Sequence, residues 1–255
     1  MATKKSQEVA TKQESAVTAF SQDVPDYIKQ GSNRGSEEVS NKDMVLPRLE
    51  IVQAMSKFKD VREDVREGNM YNSVTQEDLG DTVYFVPVFF RAEYLIWKDF
   101  NEGGGFGGTF NTEAEAKEKL KDMIAGGEDA DLWEVVDTPV HYGLRITLEG
   151  HMEQIVLSMA KTKAKVSRKW NSLIQINGGD RFSRVYKFTT FKDENKKGQK
   201  FHNFVVQPAG FTPKAVYEQA EGLYTVFKNQ EMRVAHETVI DGDDAEQAVM
   251  DRGGI

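Results

Sequence analysis

The sequence predicts a mixed α+β chain, mainly β, in which short antiparallel strands follow one another as a meander and helices are added. Three observations carry this. Residues 82–98 form one long stretch dominated by β-branched and aromatic side chains: Val83, Tyr84, Phe85, Val86, Val88, Phe89, Phe90, Tyr94, Leu95, Ile96 and Trp97. Tyr142, Leu144, Ile146 and Leu148 alternate with Gly143, Arg145 and Thr147, the period of a half-buried strand. Helical spacing is confined to a few segments, with no βα repeat.

Taken in order, residues 1–40 are rich in Ser, Gln, Glu, Lys and Thr and read as a flexible arm with at most one short helix. The domain proper spans 41–232. Met44 to Gln53 gives a first strand, with Pro47 at its start. Residues 68–73 give a short second one. Residues 82–98 are the strongest strand, and Pro87 predicts a bulge or bend within it. The glycine run 103–108 reads as a flexible hairpin or loop. It formally matches G-x-G-x-x-G at Gly103, Gly105 and Gly108, but the next helix, near 112–125, starts four residues late and no βαβ unit follows.

Residues 132–136 and 140–148 read as two strands, and 154–159 as the returning one. In 160–175, Val166, Trp170, Leu173 and Ile174 fall on one helical face, with Lys161, Lys165, Arg168 and Lys169 opposite. Gly178 and Gly179 end that helix. Residues 182–191 and 200–207 make a hairpin. Pro213 opens a last helix to about Glu231, and 233–255 form an acidic flexible tail.

Composition narrows the chemistry. The chain has 255 residues, 39% apolar and 29% charged. The longest apolar run, 84–90, is seven residues, against the roughly 20 a membrane helix needs. No apolar stretch follows the first basic residues, so no secretory signal is expected and a cytoplasmic location is. There is no cysteine, which removes disulfides, thiolate chemistry and cysteine-bound metals. The four histidines, His141, His151, His202 and His236, form no metal-binding spacing, so no cofactor is expected. P-loop, H-E-x-x-H and G-x-S-x-G patterns are missing, and the scattered acids show no spacing that favours a two-metal nuclease. No catalytic set emerges.

Charge is uneven. The net charge of -8 hides a segment, 161–200, with twelve basic and three acidic residues, or +9. The rest of the chain sums to -17. Residues 237–255 hold six acids and one base. Within the basic segment, cations interleave with aromatics: Phe182, Arg184, Tyr186 and Phe188 are expected on one strand face, with Arg181, Val185 and Lys187 on the other. Such a surface suits single-stranded nucleic acid, whose phosphates take the cations while splayed bases stack on rings. The candidate contacts are Lys161, Lys163, Lys165, Arg168, Lys169, Arg181, Arg184, Tyr186 and Lys187, with Tyr94 and Trp97 as further stacking rings.

Several segments, in order, resemble a group of bacteriophage single-stranded DNA-binding proteins. They are residues 45–53 (Val-Leu-Pro-Arg-Leu-Glu-Ile-Val-Gln), 68–73 (Gly-Asn-Met-Tyr-Asn-Ser), 83–90 with Trp97, 156–165 (Val-Leu-Ser-Met-Ala-Lys-Thr-Lys-Ala-Lys) and 170–173 (Trp-Asn-Ser-Leu). The likeness covers roughly 44–210. It implies an OB-like barrel, DNA binding without base preference in replication or recombination, and an acidic tail that recruits replication or recombination partners of phage or host. Asp241, Asp243, Asp244 and Glu246 would carry that last role. Some relatives carry a central cysteine pair; this chain has none, and it lacks a terminal aromatic. Two rival readings use the same residues: a strand-annealing or recombination-mediator protein, and a phage protein whose acidic surface binds a host enzyme.

Overall fold

The computed structural model describes residues 34–39, 43–62, 64–99, 102–195 and 198–229. The chain divides into two units, Met1–Asp43 and Met44–Ile255. Of the first, residues 34–39 make a turn in which the Gly35 amide donates to Glu37 Oε2 at 2.8 Å and the Val39 amide to the Ser36 carbonyl. The expected arm otherwise lies outside the described residues, as does the tail with Asp241, Asp243, Asp244 and Glu246.

The second unit is mixed α+β, mainly β, and its sheets are antiparallel. A small sheet joins β1 (Leu49–Ile51), β2 (Met70–Asn72) and β3 (Asp78–Gly80) in that order. The large sheet runs β7-β6-β4-β8-β9. Its strands are β4 (Thr82–Lys98), β6 (Trp133–Ile146), β7 (Met152–Ser158), β8 (Arg184–Glu194) and β9 (Lys200–Phe211), with β5 (Gly105–Phe110) added to β4. Among the described residues, the unit's α-helices are α1 (Phe58–Val61), α2 (Glu113–Ala125), α3 (Thr162–Asn177) and α4 (Lys214–Asn229).

Neither sheet closes on itself, which corrects the expected OB-like barrel. The reason lies in β4. One of its edges is paired with β6 from Tyr84 to Lys98. The other is shared, β8 taking Thr82–Phe85 and β5 taking Tyr94–Lys98. The large sheet therefore fans out from one long strand and ends on β7 and β9. A parallel bridge, Arg48 to Val156, links the small sheet to β7.

The expected bend at Pro87 is present: the β4–β6 register shifts between Pro87 and Phe89. Gly143 sits opposite. A Cβ there would lie 2.3 Å from the Val86 carbonyl oxygen and 2.4 Å from the Phe85 ring, so no side chain fits. Residues 133–146 are one strand, not two. Pro139 interrupts nothing, because its carbonyl accepts from Met159 on the side where β7 has just ended, and the missing N–H faces that same side. The glycine run takes the hairpin form of the expectation: Gly103 and Gly104 lie in the connection, and from Gly105 the run is strand, paired back on β4. A Cβ on Gly107 would lie 2.7 Å from Ile96, so bare backbone is what lets β5 pair there, and the nucleotide motif has no place in it.

Strand periodicity sorts the core into two faces. Val83 and Phe85 of β4, Ile155 and Leu157 of β7, and Tyr186 and Phe188 of β8 pack with Leu49, Ile51 and Met70 of the small sheet and Trp170 of α3. Tyr84, Val86 and Val88, Tyr142 and Leu144, and Val156 pack instead with Val216, Ala220 and Phe227 of α4. Among the described residues, no helix is long and apolar enough to cross a membrane.

Candidate nucleic-acid interface

The basic helix forms as its spacing predicts, two residues later at each end. Trp170 is buried, and Val166, Leu173 and Ile174 pack against the same core. Lys165, Arg168 and Lys169 stand exposed on the far side. Two other lysines behave differently. Lys161 precedes the helix at φ 51°, a conformation that favours glycine, and its Nζ lies 2.8 Å from Glu134 Oε1. Lys163 is 1% exposed, with its Nζ 3.8 Å from Glu50 Oε2. A buried ammonium with a carboxylate partner is not a phosphate contact, and this removes Lys163 from the candidate set.

Alongside α3 runs a groove of about 1000 Å³, walled on the other side by the β8–β9 hairpin. Lys161, Lys165 and Lys169 line one wall. The floor and far wall are largely apolar: Trp170, Leu173, Ile176, Phe191, Phe201, Phe204, Val205 and Val206. Ile176 is 81% exposed and Phe191 41%. Asp193, Glu194 and Asn195 close the hairpin end. Lys196 and Lys197, from the same turn, lie outside the described residues. The groove thus joins cations to an open apolar floor carrying a partly bare ring.

The remaining candidates do not gather there. Residues 181–183 form a single 3-10 turn before β8, not its first residues. Arg181 turns inward: its Nη2 donates to His141 Nδ1 at 2.7 Å and to Asn171 Oδ1 at 2.9 Å. Burial pushes its pKa down to about 10. Arg184 stacks its guanidinium 4.4 Å over Phe211, whose ring is 75% exposed. Tyr186 is 1% exposed and packs edge-on against Trp170, so the expected stacking face is not free. The expected face holding Arg184, Tyr186 and Phe188 thus has both rings in the core. Lys187 is half-buried opposite Tyr84 of β4.

Tyr94 and Trp97 sit at the distal end of β4, half-buried, with Trp97 against Phe106 of β5 at 4.9 Å. They belong to the β4–β5–α2 part of the unit and do not line the groove.

Sequence reasoning missed Phe191, Ile176 and Phe211 as exposed apolar groups. Phe191 carried one signal, its place at the end of β8 beside a polar turn. Ile176 carried another, its place off the apolar face of the helix. His141 was also missed: it is fully buried, and burial, with the Arg181 charge second, holds its pKa well below the usual imidazole value.

A family model described as Pam3 phage gp34-like protein matches residues 12–233, most of the chain. No curated protein and no solved structure matches. The chain therefore belongs to the Pam3 phage gp34-like protein family.

Proposed function

We propose that this phage protein binds single-stranded DNA without sequence preference and coats it during replication or recombination. One observation supports the reading above all: the groove that sets the exposed Lys165 and Lys169, with the Glu134-paired Lys161 at the end of their wall, beside an apolar floor with the exposed Phe191 and Ile176. Phosphates would lie along the lysine wall, releasing counterions, and bases would turn toward the floor. A strand bound this way is held by charge and stacking, which every sequence offers. Asp193 and Glu194 at the hairpin end disfavour phosphate and set the strand toward the helix wall. The acidic tail is proposed as the segment that meets replication or recombination proteins, through Asp241, Asp243, Asp244 and Glu246.

The test is fluorescence anisotropy of labelled oligo-dT and of a labelled duplex over a salt series. The reading expects tight oligo-dT binding, weak duplex binding, and affinity that falls with salt. No binding of either at low salt overturns it.

A further inference from the structure

The fold closes one imidazole completely against the basic helix. His141 of β6 has no exposed surface. Its Nε2 lies 2.8 Å from Ser167 Oγ, and its Nδ1 accepts from Arg181 Nη2 at 2.7 Å. A guanidinium only donates, so Nδ1 is bare and the ring proton sits on Nε2, donated to Ser167. The ring also stacks on Trp170, centroids 4.4 Å apart and planes 24° apart. Arg181 in turn holds Asn171. Ser167, Trp170 and Asn171 all belong to α3, so this one pair grips three residues of the helix that carries the lysine wall.

We propose that His141 and Arg181 form a proton-operated latch: protonating the imidazole releases α3 from the sheet and opens the wall of the groove. The latch is independent of any ligand; its effect on strand binding rests on the DNA reading above.

A second ring proton must go onto Nδ1, the atom that now accepts from Arg181. Donor then faces donor, and a second positive charge appears on a ring with no exposed surface, 2.7 Å from the guanidinium. The surroundings offer no compensation. From α3 the ring meets Ser167 and Trp170, from β4 Phe90, and from β7 its strand partner Leu157, none of which carries charge. Among the described residues, Arg181 is the charged group acting on the ring, and the Tyr186 hydroxyl of β8 acts on Arg181. Once α3 has moved away, the ring titrates as an ordinary imidazole, near pH 6.5. The closed form is thus favoured in full above that pH and loses about tenfold per unit below it. Between pH 7.5 and 5.0 the opening equilibrium rises roughly 30-fold.

Hydrogen exchange on the full chain at those two pH values, corrected for intrinsic exchange, reads this directly. Residues 162–177 are expected to be less protected than 82–98 and 133–146 at both pH values, because α3 opens ahead of the sheet, and to lose protection roughly 30-fold between pH 7.5 and 5.0. In His141→Gln, which cannot take the proton, that loss should vanish. If that variant does not fold, the wild-type helix decides alone. Unchanged protection of α3 at pH 5.0, or α3 protected as strongly as the sheet, which marks opening by global unfolding only, overturns the latch. Oligo-dT anisotropy at both pH values separates the two claims: absence of binding at pH 7.5 sinks the DNA reading and leaves the latch to the exchange data. Binding that persists while α3 is released upholds the latch and removes the groove as the site.

Discussion

The Lys163 ammonium lies 3.8 Å from the Glu50 carboxylate, and both side chains are closed off from solvent. Glu50 also faces Arg48 Nε at 3.2 Å, so one carboxylate balances two buried cations. Removing it takes a buried carboxylate from beside both cations. Glu50→Ala is expected to destabilise the fold by about 3–5 kcal/mol. Lys163→Met, which keeps the stem and drops one charge, is expected to cost far less. Urea melts of the two variants check this; equal losses would contradict the assignment.

Gly143 faces the β4 bulge with no room for a methyl group. Its neighbour is the Val86 backbone, which cannot swing aside as a side chain would. Gly143→Ala is expected to destabilise by about 3 kcal/mol or more. A thermal melt within about 2 °C of wild type, on a scale where 1 kcal/mol shifts a chain of this size by roughly 2–4 °C, would show that the bulge adapts.

Stability should fall on acidification below neutral pH. His141 is held neutral chiefly by burial, so its folded pKa lies below its unfolded one. Its contribution is complete above the unfolded value and is lost as pH falls below it, by about 1.4 kcal/mol per unit. His202, half-buried with its pKa also lowered by burial, adds in the same direction. Urea melts at pH 7.5, 6.0 and 5.0 test the slope, and His141→Gln should reduce it.

Phe191 is expected to act on bases and not on phosphates. Phe191→Ala should weaken oligo-dT binding by about 1–3 kcal/mol and leave the salt dependence unchanged. Binding measured at two salt concentrations separates a stacking ring from an electrostatic partner.

Much of the fold was legible from the pattern of side chains. β4 matches its sequence bounds because β-branched and aromatic residues dominate it on both sides of Arg91–Glu93, and the Pro87 bulge follows from a missing donor. The apolar face of α3 was equally plain. What failed was whatever depends on partners far along the chain. The glycine run read as a hairpin or a loop because glycine has low strand propensity alone, and Ile96 and β4 select the hairpin. Closure into a barrel cannot be read from strands taken singly, since it turns on which strand takes each edge of β4. Among the site residues, Lys165, Arg168 and Lys169 could be read from the helical wheel. Lys163, one step from the exposed stripe, could not, because its partner Glu50 lies on β1. Tyr186 and Arg181 went inward for the same reason: Trp170 and His141 are waiting for them.

The central claim is that the exposed lysines of the α3 groove wall, Lys165 and Lys169, carry the phosphates of a single strand. The most direct measurement is the salt slope of oligo-dT binding in wild type and in the double variant Lys165→Ala, Lys169→Ala. Each cation removed from a phosphate should flatten the slope by about 0.7, so the account predicts a change of about 1.4 together with weaker binding at low salt. A variant that binds as tightly as wild type with an unchanged slope would contradict it and remove α3 as the DNA-binding face.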